Sequence, residues 1–294
     1  MVPGMMLNGR YQVVRKLGEG GEGEIFVARD TEKGQDVAIK LQPARTFESL
    51  ATYADYGRYI GQEHDRMWDV LEIKGIPRVF DRGTFGRSDR QFLVMELVDG
   101  VTLAQWIAEH EPVSAMAAVS VVAQLCEILD RLHAKAYIHR DVTPNNTMIQ
   151  FDGCVRLLDV GIAVRSDDLN TAPGGSPGYA APEQFDRQAR LTPQVDVFAL
   201  GALLFQMVIG QLPYDGVEYP FDGAERAFPA GARATMPDDL RSLGLAMVSL
   251  DPRQRPRGAA EVLRYLRPML PALGSAASPK ATRPDPTAHY RRGL

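Results

Sequence analysis

The spacing of hydrophobic and polar positions changes period partway along the chain. Over residues 1–100, short apolar and β-branched runs alternate with turn residues, the pattern of strands. Residues 11–17, 25–28 and 37–41 read as three strands. A glycine cluster at 18–23 separates the first two, and Thr31-Glu32-Lys33-Gly34-Gln35 is a turn before the third, which predicts an antiparallel meander. Residues 62–74 place Met67, Val70 and Leu71 near helical spacing and predict a helix. Residues 77–80 and 91–97 predict two more strands. After Gly100 the pattern turns helical. Ser114 is a good N-cap for a helix over 115–132. Strands return at 148–151 and 155–158 around an Asp152-Gly153 turn, and residues 167–177 read as a loop. Helices follow at 195–210, 237–250 and 258–266. From 271 onward Pro, Ala, Ser and Arg dominate without periodicity, so residues 271–294 are expected to form a disordered tail.

Composition narrows the class. Apolar residues make up 45% and charged residues 24% of the 294, which excludes wholesale disorder. Basic residues number 33 against 37 acidic, a net charge of −4, so the chain has no global attraction to nucleic acid or anionic lipid. Two cysteines, Cys126 and Cys154, build neither a disulfide framework nor a four-ligand zinc cluster, and are expected to be reduced core residues. Residues 1–10 lack a signal-type apolar run. The longest apolar stretch, 197–210, is interrupted by Gln206 and falls short of the roughly 20 residues of a membrane span. The expectation is a soluble, cytoplasmic protein.

Candidate chemistry begins at Gly18-Glu19-Gly20-Gly21-Glu22-Gly23, followed by Glu24-Ile25. A G-x-G-x-x-G string is weak evidence alone, and a glycine-rich hairpin turn is its plain reading. Here it lies between two strands, which is the wrong setting for a dinucleotide fold. Glycines at such a turn let backbone N–H groups approach phosphate oxygens without a Cβ in the way. Lys40 ends the apolar run Val37-Ala38-Ile39 and lies 17 residues after Gly23. It either reaches solvent at a strand end or projects under the hairpin, where a carboxylate would hold it. Glu63 is the better-spaced partner and Glu48 its competitor.

The most specific string is Ile138-His139-Arg140-Asp141-Val142-Thr143-Pro144-Asn145-Asn146. With it the chain resembles the protein kinase family, whose catalytic loop reads H-R-D-x-x-x-x-N, and Gly175-Ser176-Pro177-Gly178-Tyr179 resembles the Ser/Thr branch, particularly its bacterial members, more than the tyrosine branch. Leu158-Asp159-Val160-Gly161 matches the metal-binding D-F-G motif, with Val160 in place of Phe. Gly178-Tyr179-Ala180-Ala181-Pro182-Glu183 matches the end of the activation segment, and Asp196 and Arg255 match two later landmarks. The matches run in order from about residue 11 to residue 270.

The resemblance implies an α+β bilobal fold. A small antiparallel β-rich N-lobe (8–98) and a larger helical C-lobe (99–270) would have the nucleotide cleft between them. It implies ATP and Mg2+ (or Mn2+) as cofactors. Asp141 would orient or accept the substrate hydroxyl proton, and Asn146 and Asp159 would hold the metal. Lys40 would pair with the phosphates and with Glu63, and Gly18, Gly20 and Gly23 would cover the phosphates. Leu17, Ile25, Ala38 and Met148 would wall the adenine, with Met95 at the gatekeeper position and the backbone of Glu96 and Val98 reaching the ring. Glu183 and Arg255 would form an ion pair, and Asp196 would hold the catalytic-loop backbone.

Two departures bear on rate. Thr143 stands where Ser/Thr kinases usually carry a phosphate-contacting Lys, and Val160 is smaller than the usual Phe. Arg140 beside Asp141 suggests an anion partner, with Thr171 as first phosphosite candidate and Ser166 and Ser176 behind it. Ser176 falls where the family has a hydroxyl facing the substrate, so a structural role competes. The implied partner is a protein with a Ser or Thr acceptor, with a possible dimer for autophosphorylation. A nucleotide-binding pseudokinase scaffold and a small-molecule kinase are the alternatives. The intact Ala181-Pro182-Glu183 segment argues against the latter.

Overall fold

Strand alternation resolves into a six-stranded antiparallel sheet of β1 (Met6–Leu7), β2 (Tyr11–Gly20), β3 (Gly23–Asp30), β4 (Gln35–Leu41), β5 (Val79–Phe85) and β6 (Arg90–Glu96). The spatial order is β1-β2-β3-β4-β6-β5. This computed structural model describes residues 1–20, 23–43, 50–86, 89–166, 170, 173–214 and 236–294. It contains two compact units, one of Met1–Val98 with Asp159–Ile162 and one of Asp99–Leu158 with Ala163–Leu294.

In the first unit, register assigns the two sheet faces different work. Val37, Ile39 and Leu41 join Phe26, Ala28, Phe92 and Val94 in a buried core with Leu7, Tyr11 and Val13. Side chains alternate along a strand, so the intervening residues Ala38 and Lys40 point the other way. Cross-strand partners share a face. Lys40 opposite Ile25, and Ala38 opposite Met95, therefore place all four on the face away from that core. The helix α1 (Leu50–Asp69) packs against β5 and β6 and meets Lys40 through Glu63. The expected helix over 62–74 is thus corrected at both ends. Leu50, Tyr53, Tyr56 and Ile60 continue helical spacing upstream, and residues 70–76 are turns that close on Gly75 at φ 103°.

The second unit is mostly helical. It comprises β7 (Gly100–Thr102), α2 (Leu103–His110), α3 (Ala115–Ala134), β8 (Tyr137–Ile138), β9 (Thr147–Gln150), β10 (Val155–Leu157) and β11 (Val164–Arg165). A 3-10 turn at Pro182–Phe185 precedes α4 (Gln194–Ile209), α5 (Asp238–Met247), a 3-10 turn at Pro252–Gln254, α6 (Ala259–Leu266) and α7 (Ala288–Arg292). The strands pair as β10-β9-β7 and β11-β8. α3 and α4 are apolar on nearly every side, as helices enclosed by protein must be, and α3 packs on both α4 and α6. Ser114 caps α3 as expected, its Oγ accepting the Ala117 N–H at 3.3 Å. The short α2 went unread, although Thr102 and Gln105 form a reciprocal capping box.

The expected disorder of residues 271–294 is overturned. Pro284, Pro286 and Ala288 are buried. Trp106 Nε1 donates to the Pro284 carbonyl at 2.9 Å, and Gln124 Nε2 donates to the Pro286 carbonyl at 3.1 Å. Tyr290 Oη donates to Glu127 on α3 at 3.0 Å. The physical reason lies in the donors. Proline offers no N–H, so a Pro-rich strap needs only its carbonyls satisfied, and two buried side chains of the helical unit supply the bonds. Composition alone does not reveal such a receiving surface. Truncation after Leu270 is expected to strand the Trp106 donor at about 1–3 kcal/mol, while Gln124 Nε2 keeps its bond to the Gly153 carbonyl at 3.2 Å, and to lower the melting temperature. An unchanged thermal midpoint in calorimetry would refute this.

Candidate functional site

The first unit gathers three of the expected residues. Lys40 sits on β4 and is 4% exposed. Its Nζ donates to Glu63 Oε2 at 2.8 Å and to Asp159 Oδ2 at 2.9 Å. Of the two carboxylates weighed for Lys40, Glu63 is the one in contact; Glu48 lies outside the described residues. Asp159 has φ 56°, and its Oδ1 accepts the Gly161 N–H at 2.9 Å. Arg66 on α1 donates to the Gly161 carbonyl, so the same helix that supplies Glu63 also holds the short segment carrying Asp159. Val160 is almost fully buried, so the smaller side chain is covered.

Around this trio, Ile25, Ala38 and Met95 share the Lys40 face of the sheet. Leu17 is half-exposed and Val98 is buried. The Glu96 N–H donates to the Arg78 carbonyl at 2.8 Å. Gly18 pairs with Ile25, and Gly20 with Gly23, across the β2–β3 hairpin, whose tip at 21–22 lies outside the described residues. Gly23 has φ 146°, and a Cβ there would fall 2.3 Å from the Leu41 carbonyl oxygen, so no other residue fits that backbone. Met148 lies on β9, in the second unit.

The second unit builds a constellation around Asp141. Asp141 Oδ2 accepts from Asn146 Nδ2 at 2.6 Å, and Oδ1 accepts from Ser176 Oγ at 2.6 Å. Asn146 Nδ2 also donates to the Asp141 carbonyl at 3.1 Å. Asn146 thereby turns its amide NH2 toward Asp141, which leaves its carbonyl oxygen as the donor atom for a hard cation. Thr143 is 4% exposed, and its Oγ1 accepts the Asn146 N–H at 3.2 Å. Its hydroxyl braces the loop from inside, so no fixed cation replaces the usual Lys at this position.

The backbone of this loop is itself held. Asp196 on α4 is fully buried and accepts the His139 N–H at 2.9 Å and the Arg140 N–H at 2.8 Å. Burial alone would raise its carboxyl. The hydrogen bond with His133 at 2.8 Å, together with these backbone donors, holds it below the ordinary Asp range. Glu183 and Arg255 form the expected ion pair, and it is bidentate, at 2.6 and 3.0 Å. The Tyr179 hydroxyl is pushed up to about 12 by burial and donates to Gln206 Oε1 at 2.6 Å.

Among the phosphosite candidates, Ser176 is bonded to Asp141, the Ser166 N–H donates to the Ala136 carbonyl at 2.7 Å, and Thr171 lies outside the described residues. Sequence reasoning did not find Gln184, a buried side chain that touches both the catalytic-loop backbone and the activation segment. Its only signal was a polar amide directly after Glu183. Cys126 is buried, and burial pushes the Cys154 thiol up to about 11, so neither is poised as a nucleophile.

The donor chemistry fits magnesium. Among the described residues no group of three or more His, Cys, Asp or Glu could hold a metal ion. Magnesium is commonly held by one or two protein oxygens with phosphates and waters completing its shell; Asp159 in the first unit and Asn146 in the second each carry a side-chain oxygen of that hard type. No helix among the described residues is long and apolar enough to cross a membrane.

Comparison with known proteins gives one consistent answer. The model of the protein kinase domain matches residues 11–265. The probable serine/threonine-protein kinase PknB of Lactococcus lactis is 31% identical over 218 residues, 72% of this chain and 34% of the relative. The serine/threonine-protein kinase PrkC of Bacillus subtilis is 30% identical over 222 residues, 74% of this chain and 33% of the relative. The serine/threonine-protein kinase PknB of Mycobacterium tuberculosis is 30% identical over 269 residues, 87% of this chain and 42% of the relative. The chain spans about a third to two fifths of the length of these curated relatives.

Proposed function

The chain belongs to the protein kinase domain family, and on that footing we propose that it transfers the γ-phosphoryl group of ATP to serine and threonine hydroxyls of proteins, its own included. The observation that carries the reading is the buried Lys40 ammonium shared by Glu63 and Asp159. A lysine drawn into the interior between two carboxylates has no packing purpose that an apolar residue would not serve better. Its use is to present a fixed positive charge to anionic phosphates.

Phosphoryl transfer depends on positioning and charge neutralisation more than on covalent chemistry. In this reading Lys40 pairs with the α- and β-phosphates, and Glu63 holds it there. Backbone N–H groups of the hairpin at Gly18, Gly20 and Gly23 approach the phosphates. Leu17, Ile25, Ala38, Met95 and Met148 receive the adenine, and the backbone of Glu96 and Val98 meets its edge. Asp159 and Asn146 would hold magnesium, which when bound neutralises triphosphate charge. Asp141 orients the acceptor hydroxyl and takes its proton as the oxygen bonds to the γ-phosphorus and the bond to the ADP oxygen breaks. The Asn146 and Ser176 bonds fix the carboxylate for that task. Thr143 adds no charge, so the stabilisation that a Lys would give must come from elsewhere or be absent. A reaction that consumes ATP suits the cytoplasm, and a second copy of the chain would serve as an acceptor.

Incubation with γ-labelled ATP, magnesium and a generic protein substrate tests this. Label is expected on phosphoserine and phosphothreonine after acid hydrolysis. Label confined to tyrosine or to a small metabolite, or nucleotide binding with no transfer, would overturn the reading.

A further inference from the structure

Arg140, the residue before Asp141, has φ 70°, a left-handed backbone that a non-glycine side chain holds only when its surroundings fix it. Its N–H is fixed by Asp196. Its carbonyl goes elsewhere. Gln184 Nε2 donates to the Arg140 carbonyl at 2.9 Å and to the Gly174 carbonyl at 3.0 Å, and Gln184 Oε1 accepts the Ala181 N–H at 3.0 Å. The Gln184 side chain is fully buried. Its own backbone carbonyl accepts the Gly174 N–H at 3.2 Å. Gly174 stands two residues before Ser176, whose hydroxyl grips Asp141. The intervening Gly175 has φ 155°, and a Cβ there would lie 2.6 Å from Gln184 Nε2. One amide thus ties the peptide leading into Asp141 to the segment that delivers Ser176 to it.

We propose that Gln184 is a positioning residue: its amide sets the Arg140–Asp141 peptide and the Gly174–Ser176 segment in one register, so that Asp141 meets Ser176 and the acceptor hydroxyl in the productive orientation. The inference rests on the kinase reading above and deepens it. Gln184 touches no reacting atom. Each of its three bonds goes to a backbone group, and the Gly174 carbonyl also accepts from Arg140 Nη2 at 3.3 Å; an apolar side chain of equal length fills the space but releases all three Gln184 bonds.

Two variants and one activity-independent readout test this. In Gln184→Met, kcat is expected to fall about 10-fold to 10²-fold with the KM for ATP nearly unchanged, as for a small misplacement of a catalytic group. In Gln184→Glu, the carboxylate keeps the Ala181 bond but presents oxygen to two carbonyls. Protonation restores a donor, so the ratio of variant to wild-type kcat is expected to climb as pH falls from about 8 to about 6, because burial raises a carboxyl's pKa. A residue that merely fills volume would give a flat ratio. Hydrogen exchange is expected to accelerate in Gln184→Met in peptides covering 139–142 and 174–181, whether or not the wild type transfers phosphate. Unchanged exchange, a flat ratio, or a loss confined to KM overturns the proposal. Accelerated exchange beside an inactive wild type would instead support the positioning role and sink the kinase reading.

Discussion

A Lys40→Met chain is expected to lose about 10²–10³-fold in phosphoryl transfer, the scale seen when one fixed donor to a developing charge is removed. The methionine replaces most of the aliphatic stem and leaves the sheet packing on both sides of β4 intact. What disappears is the ammonium within 2.9 Å of both Glu63 and Asp159. The two carboxylates then face the same site without that cation, which repels an incoming triphosphate and weakens the fold. Removing one partner from a buried ion pair costs roughly 3–5 kcal/mol. The double variant Lys40→Met with Glu63→Gln separates the two effects. It is expected to recover most of the stability and none of the rate. Steady-state kinetics beside thermal unfolding reads both, and a single variant within a few-fold of wild-type activity would contradict the role given to Lys40.

Arg255→Ala is expected to be the most damaging change to stability outside the Lys40, Glu63 and Asp159 cluster. The Arg255 side chain is fully buried in the helical unit. Nε donates to the Ser249 carbonyl at 2.7 Å. Nη1 and Nη2 grip Glu183 at 2.6 and 3.0 Å and also reach the carbonyls of Gln194 and Leu250 at 3.1 and 3.3 Å. Truncation leaves the Glu183 carboxylate and three carbonyls without their donor. The expected cost is roughly 3–5 kcal/mol, or a melting shift on the order of 10 °C. Transfer should fall as well, because Glu183 is the neighbour of Gln184 and anchors the turn from which its side chain reaches the catalytic loop. Arg255→Lys is expected to recover little, since one ammonium cannot reproduce the planar fork. A shift of only a degree or two would show that the pair contributes no more than a surface salt bridge.

The sequence made the chemistry more legible than the architecture around it. His139, Arg140, Asp141 and Asn146 could be picked out because their types and offsets follow the catalytic-loop pattern of the family to which the chain belongs. The strand at 37–41 could be read because the run Val37-Ala38-Ile39 is apolar and follows a turn signal. Glu63 could be chosen over Glu48 from helical spacing. The first turns of α1 were missed because polar residues break up an apolar stripe that runs back to Leu50. The strap at 271–294 was misread because its order comes from Trp106 and Gln124, donors that lie about 180 and 160 positions away in the chain. Ser176 on Asp141 and Gln184 on the Arg140 carbonyl are bonds between residues 35 and 44 apart, formed only when the chain has folded. Thr143 was read as a missing charge. Its bond to the Asn146 N–H shows what the position does instead.

The central claim is that this chain moves a phosphoryl group with Asp141 as the acceptor of the hydroxyl proton. Single-turnover transfer at saturating magnesium-ATP, in the wild type and in Asp141→Asn, with nucleotide affinity measured for both, tests it most directly. The account predicts matching affinities and a rate about 10²–10⁴-fold lower in the variant, the range for loss of a general base. Equal rates in the two proteins would contradict it.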